Sequence, residues 1–199
     1  MFKSLYFKIV LILLVFILAI MGVVSTVLLN GVSTYYMNDF MSQMDEQFSP
    51  ASPLYTELAD VLASADFAKE QKNILSTYAS ILGIDQYRNY YVLAMDGTML
   101  SGSDAELGAS LTLSANLLSA MSRRTENRQF GGADYADYAV YMKNGSRECI
   151  IYVKDSLEEM NQLNWMLLSI ILQTAFVGIL IAILLSFFLA KAIPRRCKV

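Results

Sequence analysis

Between Asn161 and Ala190 the chain carries no charged residue, and Lys191, Arg195, Arg196 and Lys198 follow at once. About twenty apolar residues cross the hydrocarbon core of a bilayer as a helix. A run at 165–190 therefore spans it with length to spare. Trp165 opens the run, at the depth where an amphipathic ring prefers the headgroup region. Everything else in the chain has to be arranged around a segment that water cannot solvate.

A second charge-free run occupies 9–29, behind Lys3 and Lys8. A cleaved leader would have an apolar region of about 7–15 residues and a small-residue cleavage site. This run is longer, and Val27-Leu28-Leu29-Asn30 makes a poor site, so an uncleaved membrane helix is expected. Between the runs the composition changes. All eighteen acidic residues lie from Asp39 to Glu159, together with only nine of the fifteen Lys and Arg. Lys and Arg flanking a span stay on the cytoplasmic side. The expected topology is thus a two-pass protein of the cell (plasma) membrane. Residues 1–8 and 191–199 are cytoplasmic tails, 9–29 and 165–190 are the spans, and 30–164 is an extracytoplasmic domain. On this topology Cys149 and Cys197 face opposite sides and cannot pair within one chain. Cys149, in an apolar run, reads as a small buried hydrophobe, and Cys197 as a free thiol.

Past Gly31 no breaker appears before Pro50, so the first helix should continue outward through Tyr35, Phe40 and Met44. Ser52-Pro53 reads as an N-cap followed by proline at the first helical position, where its missing N–H costs nothing. Leu54, Leu58, Val61 and Leu62 form a helical stripe. A break near 64–66 and a second helix bearing Ile74, Leu75, Tyr78, Ile81 and Leu82 follow, with Gly83 just past its end. The run 90–95, the Asp96-Gly97 turn and 98–101 read as a hairpin. A helix is expected at 112–124 with Leu113, Leu117, Leu118 and Met121 inward. A second hairpin crosses 143–146 between strands at 135–142 and 148–153. Ser156 and Glu159 match a capping box, which marks a helix start by satisfying its first N–H groups. That helix meets no breaker before Trp165. The fold class is α+β: a sheet domain of about 100 residues, large enough for its own core, with long entry and exit helices running into the spans.

There is no histidine, so Ser-His and Cys-His catalysis and histidine-ligated zinc are excluded. No phosphate-binding glycine loop occurs. The expectation is no catalytic residue, no metal and no cofactor. The acids Asp134, Asp137, Asp155, Glu158 and Glu159 are expected to be solvated surface charges. Short basic tails beside an acidic domain argue against nucleic acid. One basic cluster, Arg123, Arg124 and Arg128, is the candidate anion-binding site, since Arg offers a bidentate fork. The plainer reading is cations complementing a helix C-terminus. Within the second run Thr174, Gly178, Ala182, Ser186 and Ala190 recur every four residues. Small residues let neighbouring spans approach closely, and Gln173 could hydrogen-bond between helices.

Three stretches carry a resemblance. Residues 88–100 (RNYYVLAMDGTML) are similar to the central hairpin of the extracytoplasmic PAS-like (Cache-like) domain of membrane sensor histidine kinases of Gram-positive bacteria, the cell-wall- and phosphate-responsive type. Residues 138–141 (YAVY) through 150–156 (IIYVKDS) are similar to that domain's closing strands and exit helix. Residues 189–194 (LAKAIP) look like the opening of a HAMP linker. The resemblance implies an input module for a two-component system, working as a homodimer through its spans in the lipid bilayer. It implies an extracellular ligand or protein as stimulus. Signal transmission would run through Ser156, Glu159, Trp165, Gln173, Gly178, Ala182, Ser186 and Pro194. There are departures. Ile193 and Pro194 are adjacent where the family spaces them by one or two residues, and the phosphoacceptor and ATP-binding regions are absent, so a sensory half truncated at the start of HAMP is expected. Two other functions fit the layout: a stand-alone two-span protein modulating a receptor, and the input module of a chemotaxis receptor or cyclic-dinucleotide enzyme.

Overall fold

The computed structural model describes residues 5–104, 111, 113–124 and 134–192. Their elements are α1 (Leu5–Gln47), α2 (Pro53–Val61), α3 (Phe67–Thr77), β1 (Arg88–Leu93), β2 (Met99–Gly102), α4 (Ala115–Met121), β3 (Ala136–Asn144), β4 (Arg147–Asp155) and α5 (Glu158–Ala192). They divide into two compact units, one taking the apolar helices up to Thr34 and from Met160, the other Tyr35–Glu159.

The second unit is built on a four-stranded antiparallel sheet in the order β2-β1-β4-β3. Successive strand residues point to opposite faces, and the registers align these alternations into rows. Arg88, Asp155 and Ala136 share one row, followed by Tyr90, Val153 and Tyr138, then Val92, Ile151 and Val140. Met142 and Cys149 continue the same face. This face packs against the end of α1 and against α2 and α3, burying Phe40, Met44, Phe48, Leu54, Leu58, Leu62 and Leu75. The other face carries Asn89, Lys154 and Asp137, then Tyr91, Tyr152 and Ala139, then Leu93, Ile150 and Tyr141. There Leu117 and Ala120 of α4 close a second cluster over Tyr91, Leu93, Ile150 and Tyr152. A sheet with both faces covered explains why its strands read as near-continuous apolar runs.

Local chemistry accounts for most boundaries. The Ser52 hydroxyl accepts from the Tyr55 N–H at 3.0 Å, with Pro53 opening α2. Gly145, at φ 62°, supplies the left-handed residue of the tight β3–β4 turn. Ser114 caps α4 by accepting from the Leu117 N–H at 3.0 Å. That cap fixes the phase of α4, and it differs from the expected one. Leu117 is buried, but Leu118, one residue or about 100° around the helix, is 48% exposed and Leu113 is 60% exposed. Asn116 and Ala120 take the inward places instead. The exit helix differs too. It starts at Glu158, so Ser156 stands outside it, and the expected Ser156/Glu159 capping box is not its start.

Cys149 is fully buried, its thiol 3.6 Å from the Gln71 carboxamide, and burial pushes it up to about 11. A thiol so buried is a poor nucleophile because the thiolate is the reactive form. In a Cys197→Ser background, Cys149 should therefore resist maleimide at pH 8 until denaturant is added. Mass spectrometry showing labelling within minutes of native protein would contradict this packing.

In the first unit, two helices are long and apolar enough to cross a membrane, Leu14–Gln47 and Glu158–Leu185 as described segments, consistent with a membrane location. Half-buried positions recur along α1 at Leu14, Ile17, Met21, Ser25, Leu29 and Val32, in steps of three and four. Along α5 they recur at Asn164, Leu168, Ile171, Ala175, Gly178 and Ala182. That spacing gathers them into one half-buried seam along each helix, and Asn164 Nδ2 donates to Ser33 Oγ at 3.5 Å.

Candidate functional site

Two buried polar clusters sit on opposite faces of the sheet, at the end where β1 begins and β4 ends. The first centres on Arg88. Its Nε donates to Asp155 Oδ2 at 2.8 Å, and its Nη1 donates to Gln43 Oε1 at 2.8 Å and to the Leu82 carbonyl at 2.9 Å. The guanidinium carbon lies 4.9 Å from the centre of the Phe40 ring. Tyr36 adds a donor to Asp155 Oδ2 at 3.2 Å, and the Leu157 N–H donates to Asp155 Oδ1 at 2.7 Å. The two charged side chains are 11% and 2% exposed, so each depends on the other for its solvation.

The sequence builds this cluster from four places. The β1–β4 register sets Arg88 directly opposite Asp155. The Asp85 carboxylate accepts from the Tyr87 and Arg88 N–H groups at 2.7 and 2.8 Å, which shapes the approach to β1. Gly83, at φ +65°, leaves room for the guanidinium; a Cβ there would meet Arg88 Nη1 at 2.6 Å. Tyr36, Phe40 and Gln43, spaced by four and three, lie on one face of α1. Leu157 then turns the chain from β4 into α5 in a single residue at φ 58°. A left-handed non-glycine residue costs roughly 1–2 kcal/mol. Burial of the Leu157 side chain, 3% exposed, and the Asp155 acceptor offset that cost. One ion pair thus fastens the end of the first long helix to the start of the last one.

The second cluster lies under α4. Asp137, fully buried, accepts from the Ser114 hydroxyl and from Asn116 Nδ2 at 3.0 Å. The Asn116 amide also donates to the Asp137 carbonyl at 3.0 Å. Tyr152 adjoins this group, and burial first and Asp137 second push its phenol well above the usual tyrosine range. Ser114 therefore bonds in two directions, capping α4 and anchoring it to β3.

These clusters overturn one expectation. Asp137 and Asp155 are not solvated surface acids but are 0% and 1% exposed. The sheet register buries both and supplies donors for each. The remaining candidate residues are dispersed. Arg123 is exposed and donates through Nε and Nη2 to Glu148 Oε2 at 3.1 and 2.8 Å. That bond, more than any other contact, holds the Glu148 carboxyl down at about 2. Arg124 is exposed, while Arg128, Pro194 and the side chain of Ser186 lie outside the described residues. Trp165 is 72% exposed. Gly178 and Ala182 sit on the half-buried seam of α5, whereas Gln173 and Thr174 are exposed. No group of three or more potential metal ligands occurs among the described residues.

Arg88 and Gln43 carry no local motif and were not singled out by the sequence. The one trace of Arg88 in the sequence is a charge directly ahead of an apolar strand. No known protein-family model matches the chain, and no curated protein matches it.

Proposed function

We propose that the chain is a transmembrane signal-input module, the sensory half of a two-component sensor kinase, with 30–164 outside the cell and both tails in the cytoplasm. The observation that carries this reading is the Arg88 cluster. It gathers Tyr36, Phe40 and Gln43 of α1 with Asp155 and Leu157, at the point where β4 passes into α5. α1 and α5 are the two helices with membrane-spanning character. An event on the sheet that shifts β1 against β4 would therefore bear on both helices through one buried pair. Coupling of this kind typically amounts to about 1–3 kcal/mol, enough to switch an output whose two states are nearly balanced. The PAS-like resemblance of 88–100 and the HAMP-like resemblance of 189–194 support the same reading.

The test is a chimera joining this chain to an intact kinase half. Proline at an internal helical position removes a hydrogen bond and clashes with the preceding turn, at a cost of about 3 kcal/mol or more. Leu163→Pro lies inside α5 (Glu158–Ala192). It should uncouple stimulus from phosphorylation while membrane insertion, read by alkali-resistant fractionation, is unchanged. Phosphorylation that still follows the stimulus would reject transmission through α5.

A further inference from the structure

Two Asn–Gly dipeptides occur in the chain, Asn30-Gly31 and Asn144-Gly145, and the fold treats them differently. Gly31 lies inside α1, where its N–H is committed to the carbonyl four residues back. Gly145 stands in the tight β3–β4 turn at φ 62°. Its N–H donates to no acceptor among the described residues. Beyond its chain neighbours, no heavy atom lies within 4 Å of where a Cβ would stand. Asn144, Gly145 and Ser146 are all exposed.

A free backbone N–H directly after an exposed asparagine can react with that side chain, and glycine offers no Cβ to obstruct the approach. The Gly145 nitrogen adds to Asn144 Cγ and the Cγ–Nδ2 bond breaks. Ammonia leaves with the proton that the Gly145 nitrogen gives up. Water then opens the five-membered imide at either carbonyl, leaving aspartate or its β-linked isomer at 144. Both products carry a carboxylate. Ring closure needs the backbone at 144–145 to turn out of its strand geometry, and exposed tips are where local opening costs least.

The surroundings suit the product better than the amide. Asn144 Nδ2 now donates to the Ala59 carbonyl at 2.8 Å, tying the hairpin to α2. A carboxylate has no N–H to offer and would set acceptor against acceptor there. Directly across the ladder stands Arg147, and opposed Cβ atoms are roughly 4.5–5.5 Å apart. Arg147 makes no ion pair among the described residues. Its guanidinium carbon lies 5.8 Å from the centre of the Phe67 ring, and its Nη1 is buried without a hydrogen-bond partner. A buried charged donor left so is costly, and a carboxylate at 144 would supply the acceptor.

We infer that Asn144 is a self-modification site: in the folded chain it deamidates through Gly145, and the new carboxylate pairs with Arg147 as the bond to α2 is lost. The inference needs only the folded sheet unit and water, and it stands or falls separately from the sensor reading.

The test incubates the full chain in micelles in mildly alkaline buffer and follows the mass gain of amide-to-acid conversion by peptide mass spectrometry. Each rate is taken relative to a short peptide of the same residues, 28–33 or 142–147. On that scale Asn144 should convert roughly tenfold or more faster than Asn30, whose amide is locked in a helix interior. The pairing is tested with Asn144→Asp in urea unfolding. Its cost in the unfolding equilibrium constant should be roughly two- to fivefold larger beside Arg147→Met than beside Arg147, the range of partly exposed ion pairs. Asn144 staying an amide while its peptide converts would overturn the inference, as would Asn30 keeping pace with it. Equal cost of Asn144→Asp in the two backgrounds would overturn the pairing.

Discussion

Replacing Arg88 with Met should destabilise the sheet unit by about 3–5 kcal/mol, the loss typical when one partner of a buried ion pair is removed and the other is left uncompensated. Asp155 would keep only the Tyr36 hydroxyl and the Leu157 N–H as donors. Gln43 Oε1 and the Leu82 carbonyl would lose the guanidinium altogether. Urea unfolding of the full chain in micelles, followed by near-ultraviolet dichroism of its tyrosines, measures the loss. The double variant Arg88→Met/Asp155→Leu separates pair from packing. Removing both charges spares the desolvation of both ions, so it should recover more than half of the single-variant loss. A double variant as unstable as the sum of the two single variants would show that the residues do not act as a pair. Gly83→Ala reaches the same cluster sterically, because its Cβ would occupy the space of Arg88 Nη1.

Asp137→Ala should cost about 2–4 kcal/mol, because the buried Ser114 hydroxyl loses its carboxylate acceptor and Asn116 Nδ2 keeps the Asp137 carbonyl but loses the carboxylate. The damage should be local before it is global. Ser114 would still cap α4, but it would no longer tie α4 to the β3 carboxylate, leaving Asn116 on the Asp137 carbonyl and the apolar packing of Leu117 and Ala120. Hydrogen exchange at the amides of α4 should then accelerate by more than tenfold under conditions where the core of β4 still protects. Asp137→Asn keeps an acceptor oxygen for one donor and should lose less. Uniform acceleration across α4 and β4 would mean that the carboxylate supports the whole unit rather than the docking of one helix.

Both predictions concern residues that the sequence presents without distinction, and the reason is the length scale of each signal. Absence of charge over 9–29 and 161–190, proline after serine at 52–53 and glycine at 145 are properties of a few neighbouring residues. Each acts through solvation or backbone sterics that need no partner elsewhere. They are legible from the chain alone, and the long apolar helices, the start of α2 and the β3–β4 hairpin follow from them. Where the exit helix begins was misread from the same kind of signal. Ser156-x-x-Glu159 has the letters of a capping box, but Asp155 is committed to Arg88, and Leu157 takes the left-handed turn that starts the helix at Glu158.

Arg88 and Asp155 are 67 positions apart, and nothing in either neighbourhood specifies the other. What brings them together is the β1–β4 register, which is set by matching apolar alternation along two whole strands; a shift of one residue would turn both side chains to the other face. The same register buries Asp137 beneath α4 and reverses the reading of the acids as surface charge. In the apolar helices the division recurs. The sequence alone determined that α5 holds a glutamine within a span-length apolar run. Which way that glutamine faces depends on which side of α5 is half-buried, and only the tertiary structure decided it, because a helix has no preferred face until something packs against one.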